Sequence, residues 1–320
     1  MNHSSRDNMA SDQYKYDAVI LEKDSNAASY DRSWKIGSHH ASIIAKFSTR
    51  HADVCVLETQ DFGKVVLLDG EIQSTTADQK FYHQALCRPA RVIADGEIKK
   101  VLVLGGGELC TIKQILEWPD VEQIDMVDYD QTFVEFAKRR LKDWHADSYK
   151  DPRVNLIFAD AWTFTATSTT QYDSIVVDLT DIPLDAEEWP KYLIRWETLM
   201  GNLIKLLRPG GSMCVYAGMY IPWKSDAMTA AYGTMKGLLR RNGRREVIQP
   251  YRVLVSSFGC GESFFLSIGA RTIKQAVDGG QWRAAEFPTG VGAEQMFGEQ
   301  DALRSVIWGS DADSDWNFGR

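Results

Sequence analysis

The acidic residues that follow predicted strands are the side chains of this sequence best suited to acid–base chemistry. Asp178 and Asp181 stand three residues apart in the segment Tyr172–Asp181, whose apolar part predicts a buried strand. Open α/β sheets bind ligands beyond the carboxyl ends of their strands, where paired carboxylates can hold a cation or accept a proton. The alternative is a plain turn, because Asp, Thr and Pro are common turn formers.

A glycine run and a second acid have the pattern of a nucleoside site. Gly105, Gly106 and Gly107 end one predicted strand and open a helix, and glycine lets a backbone approach a ligand closely. Asp128 ends the next predicted strand, where an acid can accept hydrogen bonds from both ribose hydroxyls. The alternative makes Asp128 a helix N-terminal charge, with Asp130 as the cap.

A further acid, Asp160, ends the third predicted strand and is followed by Ala161. Its carboxylate can accept a hydrogen bond from an adenine amino group at this edge of the sheet. It can equally cap the loop that follows the strand. The residue pattern alone leaves both roles open.

The chain that carries these residues alternates between strand and helix patterns from residue 99 onward, which predicts a parallel, doubly wound sheet. Because no helix separates the last two strands, they should form an antiparallel edge hairpin. This α/β arrangement is the seven-strand, Rossmann-like order of AdoMet-dependent transferases. The predicted strands are Lys99–Gly107, Glu122–Asp130, Arg153–Ala161, Tyr172–Asp181, Ser212–Gly218, Glu246–Ser256 and Ser263–Ile268, and the predicted helices are Glu108–Trp118, Phe133–Leu141, Trp196–Leu207 and Ser225–Leu239.

The part of the chain before this sheet has a different pattern. Its strand-like stretch, residues 34–89, contains a helix predicted from Asp78 through Leu86, which Pro89 should end. The last fifty residues are expected to be mobile or packed against a partner. The predicted organisation is a flexible tail over 1–27, a small N-terminal β domain over 28–90, a catalytic domain over 91–270 and a C-terminal extension over 271–320.

Composition narrows the classes of partner. A formal net charge of −8 argues against nucleic acid, whose phosphates need clustered Lys and Arg, and suits a cationic substrate. Five scattered Cys without a CxxC pair predict reduced thiols, and no residue set has the spacing of metal ligands. We find no apolar run of the roughly 20 residues that span a bilayer and no signal-peptide core, so a cytoplasmic protein without membrane contact is predicted.

Several motifs, taken in order, resemble those of the polyamine aminopropyltransferases, the family of spermidine, spermine and thermospermine synthases. The resemblance covers about residues 34–270 and implies a small N-terminal β domain on the Rossmann-like sheet, with dimers formed through the N-terminal region. It also implies decarboxylated S-adenosylmethionine as co-substrate, a polyamine as acceptor and no permanently bound cofactor. The matching segments are VVLLDGEIQSTTADQKFYHQAL (Val65–Leu86), VLVLGGGE (Val101–Glu108), VDYD (Val127–Asp130) and DLTD (Asp178–Asp181).

The resemblance also implies roles for single residues. Asp178 would accept the proton of the acceptor amine, and Asp181 would hold a second amino group. Tyr82 and His83 would line the reacting centre, although a lone His can also be a buried structural residue. The donor would contact Gln73, Gly105, Gly107, Glu108, Asp128, Asp160 and Ala161, and the acceptor would also contact Tyr216 and Phe258.

The chemistry of the transfer agrees with these roles. A carboxylate at Glu108 would repel the carboxylate of ordinary AdoMet and welcome a donor that lacks it. A free alkyl amine titrates near ~10.4, so exposing its lone pair at pH 7 costs about 4.6 kcal/mol. A dry aromatic wall around Tyr82 would favour the neutral amine by desolvation.

Some positions depart from the family pattern. Leu109 and Cys110 replace two glycines of the loop, which should narrow it, and Ala52 replaces a glutamine that contacts the donor. Phe258 stands where an acceptor-site Tyr is usual, which favours the longer acceptor spermidine over putrescine. Two other functions stay open, an AdoMet-dependent amine N-methyltransferase and a non-catalytic polyamine-binding homologue.

Overall fold

A computed structural model of the chain describes residues 16–23, 33–179, 189–220, 226–258 and 262–280. The N-terminal part forms an antiparallel sheet of five strands in chain order. A small β domain before the main sheet is thereby confirmed. The strands are β1 (Tyr16–Lys23), β2 (Ser33–Ser48), β3 (Asp53–Thr59), β4 (Gly63–Leu68) and β5 (Glu71–Thr75).

Strand β1 lies in the region for which the sequence predicts a flexible tail. Its backbone pairs with β2, from Tyr16 opposite Ala41 to Lys23 opposite Ser33. The tail prediction is therefore wrong for residues 16–23. The segment YDAVILEK contains an apolar run at its centre, and it pairs with the next strand along the chain through the antiparallel hydrogen bonds of a sheet.

Helix α1 (Gln79–Ile93) continues past Pro89, where the sequence predicts its end. A proline inside a helix leaves the carbonyl group four residues earlier without its usual donor. Here that group is the carbonyl of Ala85, and it accepts a hydrogen bond of 2.9 Å from the Tyr251 hydroxyl. A tertiary contact thus replaces the missing helical hydrogen bond, and the helix continues to Ile93.

The main sheet has seven strands in the order β11-β12-β10-β9-β6-β7-β8. The central strands are parallel, and β12 pairs antiparallel with both β10 and β11. This confirms the seven-strand, doubly wound prediction with its edge hairpin. The strands are β6 (Lys100–Gly105), β7 (Gln123–Asp128), β8 (Val154–Phe158), β9 (Tyr172–Asp178), β10 (Leu207–Tyr220), β11 (Val247–Leu254) and β12 (Glu262–Gly269).

Helices cover both faces of this sheet and separate its core into two apolar layers. One layer includes side chains of α1, α2 and α8, and the other includes side chains of α5, α6 and α7. In the described residues, no helix is long and apolar enough to cross a membrane. The helices are α2 (Cys110–Ile115), α3 (Gln131–Arg140), α4 (Lys142–His145), α5 (Ala161–Thr167), α6 (Trp189–Leu206), α7 (Asp226–Arg241) and α8 (Ile273–Asp278), with short 3-10 turns at Ser148–Lys150 and Ser256–Phe258.

Helix α8 belongs to the predicted C-terminal extension. Ile273 and Ala276 are fully buried in the same apolar layer as α1. The start of the extension is therefore part of the core of this chain. The remainder of the prediction, over residues 281–320, lies outside the described residues.

Candidate active site

A cavity of about 420 Å³ lies at the carboxyl ends of β6, β7 and β9, between the main sheet and the N-terminal sheet. It brings together the predicted site residues that the structure describes. Asp181 lies outside the described residues. The predicted site residues on the cavity wall are Gln73, Tyr82, His83, Gly105, Gly107, Glu108, Asp128, Asp160, Ala161, Asp178, Tyr216 and Phe258.

The carboxylate of Asp178 is held from two sides by hydroxyl groups. Tyr82 Oη donates to Oδ1 at 2.6 Å, and Thr111 Oγ1 donates to Oδ2 at 2.8 Å. The Asp178 side chain is 10% exposed. Each carboxylate oxygen has a second lone pair, so both can still accept a proton or a hydrogen bond from the cavity.

Thr111 is a site residue that the sequence analysis did not identify. It lies in the first turn of α2 and is fully buried. Thr111 follows the glycine loop, and that loop follows β6, which pairs with β9. This position in the sequence could have identified it as a neighbour of Asp178. A hydroxyl there can reach the strand-end acid because both strands end at the same edge.

Gly105 allows two strand ends to come close together. Its φ is +79°, and a β-carbon on it would lie 1.9 Å from the carbonyl oxygen of Asp178. The sequence pattern predicts that this glycine lets the backbone approach a ligand closely. The structure shows that Gly105 also makes room for the backbone that carries Asp178.

Gly107 leaves space for a different acid. A β-carbon there would lie 2.8 Å from the Phe133 ring and 3.1 Å from Oδ2 of Asp128. The missing side chain therefore lets Asp128 turn toward the cavity, which both residues line.

Leu109 and Cys110 do not narrow the cavity, contrary to the sequence prediction. Leu109 has a left-handed backbone with φ +69°, and its side chain is fully buried in the apolar core beside α1 and α2. Cys110 is buried against residues of the N-terminal sheet and α3. A non-glycine residue in this conformation costs about 1–2 kcal/mol, which burial of the leucine side chain offsets.

Glu108 is a nearly buried acid on the cavity wall, 9% exposed. Ser74 Oγ donates a hydrogen bond of 3.2 Å to its Oε1. Burial, with a further contribution from the negative charge of Asp178, raises the pKa of Glu108 to about 7. A bound ammonium group would favour the ionised form and stabilise the charge that burial disfavours.

Asp128 and Asp130 divide two roles between them. Asp130 caps α3, since its Oδ1 accepts from Phe133 N at 3.0 Å, and its Oδ2 accepts from Thr49 Oγ1 at 2.5 Å. Asp128 remains on the cavity wall, where burial raises its pKa to about 6. The backbone N–H of Asp130 donates to Asp128 Oδ1 at 2.8 Å and partly opposes that rise.

Asp160 is a helix cap that also lines the cavity. Its Oδ1 accepts from the backbone N–H of Thr163 at 2.8 Å and from the Thr163 hydroxyl at 2.9 Å, which begins α5. The capping alternative is confirmed. Because both bonds go to Oδ1, Oδ2 has geometry left for another donor.

An aromatic wall surrounds the Asp178 end of the cavity. The Tyr82 ring makes edge contacts with the rings of Tyr216 and Phe258, each with centroids 5.6 Å apart. Phe265 packs behind Tyr82 at 5.9 Å. Such a wall removes water from whatever lies beside Asp178 and disfavours a charged amine there.

His83 combines a structural position with a place on the cavity wall. It is 1% exposed, and Nδ1 lies 2.6 Å from the carbonyl oxygen of Gln79 in the preceding turn of α1. Nε2 lies 3.8 Å from Asp178 Oδ2. Burial lowers the pKa of His83, which Asp178 partly opposes, so the neutral imidazole with its proton on Nδ1 fits these contacts.

The other end of the cavity carries residues that the sequence analysis missed. Trp162 directly follows Ala161, and its Nε1 donates to the carbonyl oxygen of Arg195 at 3.0 Å. The Arg195 guanidinium lies over the Trp162 ring at 4.9 Å. Tyr192, which lies on α6 with Arg195, also lines this end of the cavity. Trp162 and Tyr192 therefore form an aromatic surface on the predicted nucleoside side.

Two predicted donor positions on the N-terminal sheet lie on the same wall. Gln73 lines the cavity, and its Nε2 donates to the carbonyl oxygen of Glu71 at 3.3 Å. Ala52 also lines it, at the position of the missing glutamine. Among the described residues, no group of three or more His, Cys, Asp or Glu is arranged to hold a metal ion.

Two family models match the chain. Residues 79–242 match the spermine/spermidine synthase domain, and residues 45–76 match the spermidine synthase tetramerisation domain. The first covers the glycine loop, the acids at the ends of β7 and β9, and Tyr82. The second covers the end of β2 and all of β3, β4 and β5.

Similar proteins carry related names. The polyamine aminopropyltransferase of Synechococcus sp. (strain JA-3-3Ab) is 33% identical over 243 residues, which cover 74% of this chain and 75% of that protein. That of Aeropyrum pernix is 36% identical over 174 residues, which cover 54% of each.

Two solved structures share the fold. Spermidine synthase from Thermotoga maritima has a TM-score of 0.69 at 17% identity and covers 87% of this chain and 90% of its own. A spermidine synthase in complex with the transition-state analogue AdoDATO has a TM-score of 0.67 at 18% identity and covers 83% of this chain and 88% of its own.

Proposed function

We propose that this chain, which belongs to the spermine/spermidine synthase family of polyamine aminopropyltransferases, transfers the aminopropyl group of decarboxylated S-adenosylmethionine to a polyamine and releases methylthioadenosine. One observation carries the proposal. Glu108, Asp128 and Asp178, three acids with little exposure, line a single cavity that has an aromatic wall at one end. Such a cavity suits two cationic small molecules better than it suits an anionic one.

The donor would lie along the glycine loop. Asp128 would accept from its ribose hydroxyls, while Asp160 and Ala161 would contact adenine. Glu108 would bind the ammonium group of the aminopropyl arm, with Gln73 beside that arm. Ordinary AdoMet carries a carboxylate on the same carbon chain, and placing it against a buried glutamate would be unfavourable.

The acceptor amine would lie between Asp178 and the aromatic wall. Its lone pair attacks the carbon next to the sulfonium sulfur, the carbon–sulfur bond breaks, and its electrons leave with sulfur as a neutral thioether. The nitrogen becomes an ammonium and gives its surplus proton to Asp178. Tyr82 and Thr111 hold that carboxylate in place, which reduces the entropy lost on reaching the reactive geometry.

The acceptor we favour is spermidine, ahead of putrescine. Phe258 is buried against Tyr82 and offers an apolar edge without a hydroxyl group at this position. A longer acceptor places more methylene groups along such a surface. Asp181 would hold a second amino group, so that Asp178 and Asp181 would lie near two of the three nitrogens of spermidine.

An assay with a panel of amines tests the transfer. The protein is incubated with decarboxylated AdoMet or AdoMet and putrescine, spermidine or spermine, and the nucleoside product is identified. Methylthioadenosine with a lengthened polyamine is the expected result, and Asp178→Asn should abolish it while retaining methylthioadenosine binding. S-adenosylhomocysteine would instead identify an amine methyltransferase, and amine binding without either product would identify a binding protein.

The N-terminal sheet is the surface through which copies of the chain would associate. It contains the segment that matches the tetramerisation domain. A homodimer is the assembly we infer. Light scattering after size-exclusion chromatography measures the mass of the assembly, and either a monomer or a tetramer would contradict the inferred dimer.

A further inference from the structure

Asp78 stands at the N-terminus of α1, yet its carboxylate does not cap that helix. Oδ1 accepts from Thr75 Oγ1 at 2.8 Å and from Ser257 Oγ at 2.9 Å. Oδ2 accepts from the backbone N–H of Ser257 at 2.8 Å. An Asp at this position ordinarily bonds the amides of the first helical turn, so here it is redirected to a segment 179 positions away.

Both ends of this contact lead to the aromatic wall. On one side, the backbone carbonyl of Asp78 accepts from Tyr82 N at 3.0 Å, which places Tyr82 one turn into the helix. On the other side, Phe258 directly follows Ser257. The rings of Tyr82 and Phe258 meet with centroids 5.6 Å apart and planes at 64°.

The burial of Ser257 makes the contact difficult to replace. Ser257 is fully buried, so without the carboxylate its N–H and its hydroxyl would both lose their partner away from water. A bidentate contact to one residue fixes orientation as well as distance. The 3-10 turn that holds Ser257 connects β11 and β12, and this contact ties it to the start of α1.

We propose that Asp78 and Ser257 form a latch that sets the spacing of Tyr82 and Phe258, and with it the fit of the acceptor amine. Asp78 is then a positioning residue, since it is absent from the cavity wall and acts through its two neighbours. The latch rests on the proposed function. It should affect the acceptor more than the donor, because Glu108 and Asp128 lie on other elements.

Kinetics with decarboxylated AdoMet and spermidine test the latch. Ser257→Ala removes one hydrogen bond and should raise the KM for the amine about fivefold, and Asp78→Asn should raise it about tenfold or more. The KM for the donor should stay unchanged. The double variant should be little worse than Asp78→Asn alone, because both substitutions break the same contact.

Ser267→Ala is the matched control. Its hydroxyl donates to the carbonyl oxygen of Gln249 at 2.9 Å, and it is buried in the same β11–β12 hairpin. This variant should lose stability and keep the amine KM of the wild type. If Asp78→Asn does not fold, Ser257→Ala alone gives the comparison.

The outcomes separate the latch from the proposed function. If the wild type is active and both Ser257→Ala and Asp78→Asn keep the amine KM of the wild type, the latch is refuted and the proposed function is unaffected. If the wild type has no turnover, calorimetry with spermidine and methylthioadenosine replaces kinetics, and weaker amine binding in both variants would support the latch. A wild type that neither reacts with the amine nor binds it would overturn both.

Discussion

Tyr82 Oη and Asp178 Oδ1 form a 2.6 Å hydrogen bond between residues 96 positions apart. Tyr82 comes from α1, which follows the N-terminal sheet, and Asp178 from the end of a central strand. The bond joins the aromatic wall to the proposed proton acceptor. The bond fixes the orientation of the carboxylate that would take the proton.

Loss of the Tyr82 hydroxyl should slow turnover and leave the affinity of the nucleoside site nearly unchanged. Tyr82→Phe is expected to reduce kcat by about 10- to 100-fold, because Asp178 loses a charge-assisted bond and its fixed orientation. Steady-state kinetics measure the effect, and calorimetry with methylthioadenosine should show nearly unchanged affinity. Tyr172→Phe is the control, since Tyr172 bonds the buried Asp125 at 2.9 Å in a different part of the sheet. Equal losses of kcat in both variants would contradict the role of Tyr82.

Thr111 should behave as a positioning residue for the same carboxylate. Thr111→Val keeps the side-chain shape and removes the 2.8 Å bond to Asp178, so kcat should fall about tenfold. Thr111→Ser restores the hydroxyl and should recover most of the rate. A valine variant with wild-type kcat, or a serine variant as slow as valine, would show that the bond has no part in turnover.

Glu108 should destabilise the empty protein at neutral and higher pH. Its folded pKa of about 7 exceeds its ordinary value of 4.5, so the folded state binds more protons between the two values and stability falls as pH rises through that window. Glu108→Gln removes the buried charge and should raise the unfolding free energy at about pH 8 by up to about 3 kcal/mol, with little difference near pH 4.5. Thermal unfolding across pH measures this, with the exposed Glu97→Gln as control. A pH-independent difference would contradict the assignment.

Donor binding should release protons near neutrality. The pKa of Glu108 is raised to about 7 and that of Asp128 to about 6 in the empty cavity. A cationic donor favours both ionised forms, so its affinity should decline as pH falls through this range. Calorimetry of decarboxylated AdoMet in buffers of different ionisation enthalpy counts the protons. Binding with no proton exchange between these values would mean that the donor does not contact either acid.

The contact between Tyr251 and the carbonyl of Ala85 should explain how α1 tolerates Pro89. Tyr251→Phe leaves that buried carbonyl without its donor and should cost about 1–3 kcal/mol of stability. Adding Pro89→Ala supplies a backbone N–H to the same carbonyl and should recover part of the loss. Chemical denaturation measures both variants. Additive effects of the two substitutions would show that the carbonyl has another partner.

The strand and helix pattern was sufficient to predict the layout of the main sheet and the edge on which the acids gather. Alternation of strands and helices implies parallel strands, and parallel strands end at one edge. Asp128 and Asp178 each end a strand and Asp160 follows one by two residues, so their shared location follows from local pattern alone. Their partners do not follow, because a cap such as Asp160 and a cavity acid such as Asp128 have the same local signature.

Contacts between residues far apart in the sequence could be identified only from the tertiary structure. Thr111 meets Asp178, Asp78 meets Ser257, and Tyr251 meets the Ala85 carbonyl across 67, 179 and 166 positions. Leu109 likewise points into the core although its replacement of a glycine suggested a blocked loop. Local propensity carries no information on such pairings, since each depends on where packing places two remote segments and on the rotamers that fit between them.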